Sequence, residues 1–299
     1  MINKFITYVK DNNLGVVLEN VNLKKYNTYR LEHQARVIVS PSSITNLKEI
    51  VKYLFNNELE YIILGNGSNV IFKGDYNKII LMLDKLTNIS INNGIVTVGA
   101  GYKLMKLSHK LAKLGYTNLE FASAIPGSVG GAVYMNAGAY NKSISDVLVS
   151  ALILTDDLQI KEFSNAELEF SYRSSLLKQK KKYICLEASF KIELSNSETI
   201  LNSIKEKQEK RSKTQPLEFP SAGSVFRNPL EAYAGELIEN LGLKNKNING
   251  AEVSSKHANF IINKGNAKGE DIISLIELIK KEVKNTYNIE LLLEQEIIQ

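Results

Sequence analysis

"ARVIVSPSSITNLKEIVKYLFNNELEYIILGNGSNV", Ala35 to Val70, is the stretch that decides how this chain folds. "ARVIVSP" is a β-branched run closed by Pro41, the pattern of a strand. In "SSITNLKEIVKYLFNN", Ile44, Leu47, Ile50, Val51, Leu54 and Phe55 fall on one helical face. The run "YIIL" completes a β–α–β unit, and the loop that leaves it is "GNGSNV", Gly65 to Val70. Loops at the carboxyl ends of such strands are common ligand sites in α/β folds.

Further along, "KIILML" reads as another strand. "ISINNGIVTVGAG" alternates apolar residues around Asn93-Gly94, a strong hairpin signal. A helix carrying Leu104, Leu107, Leu111 and Leu114 follows. "VLVSALILT" and "LQIKEF" then flank Asp156-Asp157 as a second hairpin, and "YICLEASFKIEL" closes a strand-rich half. From Ser197 the style changes: "SETILNSIKEKQEKRSK" is an amphipathic, charge-laced helix with Ser197 as its cap. After it come a helix around "AYAGELIENLG", a strand "HANFIIN", a helix from Gly269 to about Asn285 and a last strand "IELLLEQEII". The expected fold class is α+β in two domains, 1–196 and 197–299, the first built of two lobes at about 1–85 and 86–196.

At 299 residues, 44% hydrophobic and 23% charged, the chain is long and apolar enough for a sizeable core. One cysteine, Cys185, excludes an internal disulfide, a Cys-based zinc site and an iron–sulfur cluster, and fits a reducing compartment. Redox chemistry would need an organic cofactor, and no metal site is expected. "MINKFITYVKDNN" is too short in its apolar run for a signal peptide, and no later run reaches the ~18 apolar residues of a membrane span. A cytoplasmic protein is the reading. The net charge of +5 suits anionic ligands but not a nucleic-acid binder, and "KQKKKY", Lys178 to Tyr183, reads as a solvated turn before a strand.

"GNGSNV" departs from a dinucleotide fingerprint at Val70, and "GAGYKL" departs at Leu104. What remains of the first is a Gly, Ser and Asn run that suits either a tight turn or a nest of N–H groups for a phosphate. "IPGSVGGAVYMNAGAY", Ile125 to Tyr140, packs glycine and alanine at a density unlike a normal core. It allows close backbone approach to something flat or anionic, or else forms a bulge cluster. "PSAGSVFRNP", Pro220 to Pro229, offers Ser224 in a small-residue loop with Arg227 and Asn228 behind it. There is no GxSxG elbow and no His–Asp pair at a useful spacing, so a serine hydrolase is excluded. His33 sits at a loop start, His109 on a polar helix face, and His257 beside "ANFIIN", where a structural histidine is the plainer reading.

Taken in order, "NTYR" from Asn27, "LGNGSN", "LEFASAIPGSVGGAVYMNAGAY", the Tyr172-Arg173 pair, "KRSKTQPLEFPSAGSVFRNP", "HANFIIN" and "LEQE" closely resemble the UDP-N-acetylenolpyruvoylglucosamine reductase family. The resemblance covers nearly the whole chain. It implies an FAD-binding domain of the PCMH/vanillyl-alcohol-oxidase type followed by a smaller α+β substrate-binding domain. FAD is the implied cofactor and NADPH the co-substrate. The implied small-molecule substrate is UDP-N-acetylglucosamine enolpyruvate, with neither nucleic acid nor membrane as partner, in a monomer. Carried over residue by residue, the flavin diphosphate falls on Asn66, Gly67, Ser68 and Asn69 and on Ser128, Val129, Gly130, Gly131 and Ala132. Arg173, Ser224 and Glu296 match the family's catalytic residues, Glu296 rather than Glu294 because the family's carboxylate stands second in "LExE". Tyr172, Arg227, Asn228 and His257 fall where the family has substrate contacts. The segment between Arg173 and Ser224 is too short for the tyrosine-bearing loop of long-form members, so the chain reads as the short form. "EHQA", Glu32 to Ala35, stands where many members have a glycine pair.

The implied reaction, reduction of an enol ether conjugated to a carboxylate, leaves negative charge beside that carboxylate. Such a centre calls for a planar cation, which Arg173 supplies, and for a second donor, which a protonated Glu296 would supply. A carbanion of this kind is basic enough to take the Ser224 proton, so that serine needs no histidine. A different FAD-dependent oxidoreductase of the same fold, acting on an alcohol or sugar, is the alternative reading.

Overall fold

The structure, a computed structural model, describes all residues from Met1 to Gln299. The chain forms two compact units. One comprises Met1–Glu19, Val37–Asn66 and Lys78–Glu209, the other Asn20–Arg36, Gly67–Asn77 and Lys210–Gln299. The sequence reading divided the chain linearly at 196/197. By contacts, two early stretches join the C-terminal part instead, and the later division falls at 209/210. No helix is long and apolar enough to cross a membrane.

The chain opens with α1 (Ile2–Asp11), a helix that the sequence reading left unassigned. It buries Phe5, Ile6 and Val9. Strands β1 (Gly15–Asn22) and β2 (Gln34–Pro41) follow, then α2 (Ile44–Asn56), whose first turn is capped by the Ser43 hydroxyl accepting the Asn46 N–H at 3.1 Å. Tyr8 of α1 stacks on Tyr53 of α2 with ring centroids 4.2 Å apart. Next come β3 (Tyr61–Leu64), β4 (Val70–Phe72) and β5 (Tyr76–Met82). The first sheet has the order β1-β2-β5-β3, with β3 and β5 parallel and Tyr61 opposite Ile79. Strand, helix and strand lie where the reading of 35–64 put them, and β5 is seated between β2 and β3.

Strands β6 (Ile89–Asn92) and β7 (Ile95–Gly99) form the expected hairpin. Asn93 and Gly94 both have positive φ, +47° and +74°, as a two-residue turn of this hand requires. After α3 (Leu104–Lys113) and β8 (Tyr116–Thr117) the small-residue tract forms a short helix, α4 (Val129–Met135). This corrects the expectation that the tract is unlike a core, because Val129, Ala132 and Val133 are buried. Glycine at 130 lets α4 approach another segment closely: a Cβ there would lie 2.9 Å from the Ala100 methyl. Then come β9 (Gly138–Ala139), β10 (Lys142–Ser143), β11 (Leu148–Leu154), β12 (Ile160–Ser164), α5 (Leu176–Gln179), β13 (Ile184–Lys191) and β14 (Glu193–Leu194). The antiparallel sheet of this part runs β12-β11-β13-β7-β6, with bulges where β11 meets β13. Cys185 lies buried on β13, its thiol pushed up to about 12 by burial and then by Glu187, so it is an inert thiol.

Helix α6 (Ser197–Thr214) begins where expected, but its cap is Asn196, whose side chain accepts the Thr199 N–H at 3.0 Å. The Ser197 hydroxyl donates instead to the Ala112 carbonyl at 2.7 Å, fixing the helix start near α3. The second unit adds α7 (Ala234–Asn240), β15 (Asn247–Ile248), β16 (Ala251–Val253), β17 (Ile261–Asn263), α8 (Gly269–Tyr287) and β18 (Glu296–Ile298). Strands β15, β16 and β17 make an antiparallel sheet, and β18 pairs in parallel with β4. The last strand is much shorter than "IELLLEQEII" suggests, because residues 289–295 form no regular strand. Their backbone bonds go to the Ser224 loop, Arg227 N–H to Leu292 and Glu294 N–H to Val225. Each unit has its own core, the second centred on Tyr29, Ile71, Phe226, Ile272, Leu275 and Ile279.

The start of α8 couples this core to pH. The Gly269 N–H donates to His33 Nε2 at 3.3 Å, a bond that only a neutral imidazole accepts. Burial lowers the His33 pKa; Asp75, whose Oδ1 lies 3.9 Å from Nδ1, and Glu270 oppose this, and Lys268 adds to it. His257 is lowered as well, chiefly by burial. The folded state therefore favours neutral histidine at both positions. Their contribution is complete above the unfolded pKa of about 6.5 and is lost as pH falls through the lower folded values. Urea midpoints measured downward from pH 7.5 should fall through this window. His33→Gln, which keeps an acceptor without titrating, should flatten part of the decline.

Candidate active site

Arg173 stands at the tip of a tight turn. Ser171 and Ser174 exchange both backbone hydrogen bonds, each 3.1 Å, and leave Tyr172 and Arg173 between them. Arg173 has φ +56°, a conformation that costs a residue with a side chain about 1 kcal/mol. The small-residue tract holds it there. Asn136 Nδ2 donates to the Ser171 carbonyl at 3.0 Å, and the Ser175 hydroxyl donates to the Tyr134 carbonyl at 2.8 Å. Asn136 itself ends α4 in the left-handed region, and its Oδ1 accepts the Ser145 N–H at 3.0 Å. The half-buried Arg173 guanidinium donates to the Gly138 carbonyl at 3.1 Å and sits 5.0 Å from the centroid of the exposed Tyr172 ring. Gly138 cannot easily be another residue, since a Cβ would lie 2.7 Å from the Lys142 carbonyl oxygen.

Ser224 and Glu296 belong to the second unit, and the structure brings their segments together. Val225 donates its N–H to the Asn259 carbonyl at 2.9 Å, and the Asn259 side chain bonds both the N–H and the C=O of Phe226, at 2.9 and 2.8 Å. On the other flank, buried Gln295 donates from Nε2 to the carbonyls of Ala222 and Gly223, at 3.0 and 3.1 Å. Its Oε1 accepts from the Tyr29 hydroxyl at 3.0 Å. Glu296 follows directly, its N–H bonded to the Asn69 carbonyl at 2.9 Å, while Asn69 Nδ2 donates to the Glu294 carbonyl at 3.0 Å. Ser224 is half-buried and its hydroxyl is not engaged by any side chain. His257 does not serve it as a base: Nδ1 accepts the Asn259 N–H at 3.2 Å, which puts the proton of the neutral ring on Nε2.

The two glycine tracts also meet. Asn66 Nδ2 donates to the Pro126 carbonyl at 3.2 Å, and a Cβ on Gly65 would lie 2.8 Å from Ser128 Oγ. The N–H groups of Val129, Gly130, Gly131 and Ala132 are all used within the chain, by Tyr102, Ala100 and Ser128. Those of Asn66, Gly67 and Ser68 donate to no group of the chain. The first loop is thus the one able to offer consecutive donors to an anion, and the second offers bare glycine surface. Gly67, at φ +62°, packs so closely on the "NTYR" segment that a Cβ would overlap the Tyr26 carbonyl oxygen at 2.0 Å. The Thr28 N–H donates to the Gly67 carbonyl at 3.0 Å, and Asn27 ties its own turn through Leu23 and Leu31.

Comparison with known proteins gives this arrangement a family. The profile of the UDP-N-acetylenolpyruvoylglucosamine reductase C-terminal domain matches residues 215–298, and that of an FAD binding domain matches 35–164. The UDP-N-acetylenolpyruvoylglucosamine reductase of Bacillus subtilis is 40% identical over 297 residues, covering 99% of this chain and 98% of the relative. This chain belongs to that reductase family. The Bacillus licheniformis reductase is 42% identical, covering 99% of each chain. The crystal structure of the Thermus caldophilus UDP-N-acetylenolpyruvylglucosamine reductase superposes with a TM-score of 0.83 at 30% identity, over 95% of this chain and 100% of that one. The reductases are enzymes, and the expected order of an FAD-binding domain and a family C-terminal domain stands.

Within this reductase the other residues singled out from sequence have visible local roles. Asn228 is exposed and its Oδ1 accepts the Ala234 N–H at 3.1 Å at the start of α7. Arg227 is half-buried, its N–H bonded to Leu292. His257 packs on Phe260 at 4.7 Å between ring centroids and takes its N–H bond to Ser254 Oγ at 3.3 Å. Sequence reasoning missed Gln295, Asn136, Asn259 and Tyr29, which position the others. Each of the four lies inside a segment that carries the family resemblance, Tyr29 in "NTYR", Asn136 in the small-residue tract, Asn259 in "HANFIIN" and Gln295 in "LEQE", but nothing in those segments marks which amide or hydroxyl would be buried. Gly67→Ala should destabilise the fold by about 2 kcal/mol or more, through φ strain and overlap with Tyr26. The purified variant is expected to melt several degrees lower and to retain less flavin absorbance.

Proposed function

We propose that this chain reduces UDP-N-acetylenolpyruvoylglucosamine to UDP-N-acetylmuramate, with FAD bound in its first part and NADPH as the reductant, in the synthesis of peptidoglycan precursors. The observation that carries the mechanism is the Ser224 loop, tied through the Ala222 and Gly223 carbonyls to Gln295, the residue before Glu296, with no histidine bonded to the Ser224 hydroxyl. The residues of the two glycine tracts fit FAD. The donors of Asn66, Gly67 and Ser68, with Asn69, suit its diphosphate; in the second tract Gly131 presents exposed glycine backbone for close approach, while Ser128, Val129 and Ala132, which are buried, and Gly130, which packs on Ala100, hold that backbone in place. Bound FAD supplies hydride transfer, which no side chain of this protein performs.

The protein's own residues handle charge and the proton. Arg173, kept in its orientation by Gly138 and Tyr172, offers a planar fork to the substrate carboxylate, where negative charge grows during reduction. Glu296 is the second group facing that charge, as a donor when protonated. Ser224 gives its proton to the carbon next to the carboxylate, and bulk solvent then restores the hydroxyl. Tyr172, Arg227, Asn228 and the Nε2 proton of His257 serve as substrate contacts. The 1–196 part binds the cofactor and 197–299 the substrate. With all three matched catalytic residues in one chain and no cysteine bridge, we place the enzyme in the cytoplasm as a monomer.

A yellow purified protein that NADPH bleaches, and that the enolpyruvyl sugar nucleotide recolours, would bear this function out; recolouring by oxygen alone, with no effect of that substrate, would overturn it. Ser224→Ala should leave bleaching by NADPH near its normal rate and slow recolouring by about 10² to 10⁴. Equal slowing of both half-reactions in rapid mixing would contradict the role given to Ser224.

A further inference from the structure

Gln295 lies between the two family carboxylates in sequence, yet its side chain points away from solvent, at 3% exposure, and makes three polar contacts. Two of them go to successive carbonyls, Ala222 and Gly223. In an extended chain successive carbonyls point to opposite sides, and both meet one donor here because Gly223 turns the backbone with φ +76°. The third contact, from the Tyr29 hydroxyl to Oε1, decides which way the amide faces, so that NH₂ meets the loop. Tyr29 is itself buried, and its carbonyl takes the Asn263 side chain at 2.8 Å, while the Asn263 N–H holds the Pro220 carbonyl at 2.9 Å.

We propose that Gln295 is a positioning residue whose buried carboxamide sets the Ser224 hydroxyl in place relative to the Glu296 carboxylate. This rests on the reading of Ser224 as the proton donor. The backbone on the C-terminal side of Ser224 is fixed by Asn259, and the backbone of Glu296 by Asn69. The N-terminal side, Ala222 and Gly223, is fixed by Gln295. Gln295 is also the covalent neighbour of Glu296, so one side chain references the serine loop to the carboxylate strand. Without it, Gly223 is free to rotate and Ser224 turns with it. A shift of about 1 Å in a reacting group is enough to slow a step by up to 10².

The test uses the FAD-loaded protein with Gln295→Met, Gln295→Glu and Ser224→Ala. Gln295→Met keeps the volume and removes both donors. Its recolouring by substrate should slow about 10- to 100-fold with bleaching by NADPH nearly unchanged. Amide hydrogen exchange at 222–226 should rise about tenfold while that at 261–263 stays put. Gln295→Glu sets a carboxylate against two carbonyls; loop protection and recolouring should both recover as pH is lowered and the acid protonates, a profile the parent protein lacks. Normal recolouring and normal exchange in Gln295→Met would overturn the proposal, as would a pH profile of Gln295→Glu parallel to the parent. If Gln295→Met fails to fold, the pH profile decides alone. Should Ser224→Ala recolour at the normal rate while the Gln295→Met loop still loosens, the donor role of Ser224 is what fails.

Discussion

The parallel pairing of Glu296–Ile298 with Val70–Phe72 is the constraint on which the second unit depends. It joins segments 225 residues apart, as measured at the Asn69–Glu294 bond. Closing so long a loop costs only a little more than closing a short one, because the entropy grows with the logarithm of length. Burial of Ile71, Phe72 and Leu291 offsets that cost. The pairing fixes the register of the last residues to within one position, and a slip by one would turn Gln295 outward and Glu296 inward. Asn69 secures the register from both sides, by accepting from Glu296 and donating to Glu294.

The same economy governs Arg173. A guanidinium on an exposed turn would be loose, yet this one is seated by the small-residue tract through Asn136, Tyr134 and Gly138. Positive φ at Tyr140 and Arg173 shows that the seat is held against local preference, while Asn136 and Asn141 adopt the same region at little cost. Tyr140 is tied at its far end as well, its hydroxyl donating to the Lys207 carbonyl of α6 at 2.5 Å. Glycine and alanine therefore serve packing here as much as ligand approach, because α4 must lie close to Ala100 and leave room for the β9–β10 turn.

Periodicity was readable wherever one face of an element is buried. The α2 helix, the Asn93-Gly94 hairpin and β11 with β12 lie where the apolar pattern puts them. The pattern failed where side-chain amides, rather than periodic burial, satisfy the backbone. Residues 289–295 are apolar enough for a strand, yet they spend their hydrogen bonds on the serine loop. Ser197 had the right residue type for a cap, but Asn196 reached the free N–H and Ser197 found a better acceptor on Ala112. Membership of the reductase family was legible because its segments combine specific polar residues with unusual small-residue tracts in a fixed order, and so stand out from a core that many sequences could fill.

The sequence by itself determined the α+β class, the two glycine-rich tracts, the identity of the chemical groups at 173, 224 and 296 and the lack of a thiol-based alternative, since residue type and spacing carry that information locally. Tertiary structure alone decided that 20–36 and 67–77 pack with the C-terminal part and that α4 is a buried helix. It also decided that a buried glutamine and a tyrosine hold the serine loop. These depend on which donors meet which acceptors across hundreds of residues. Such a meeting is set by the packing of the whole core and leaves no period or motif in the chain.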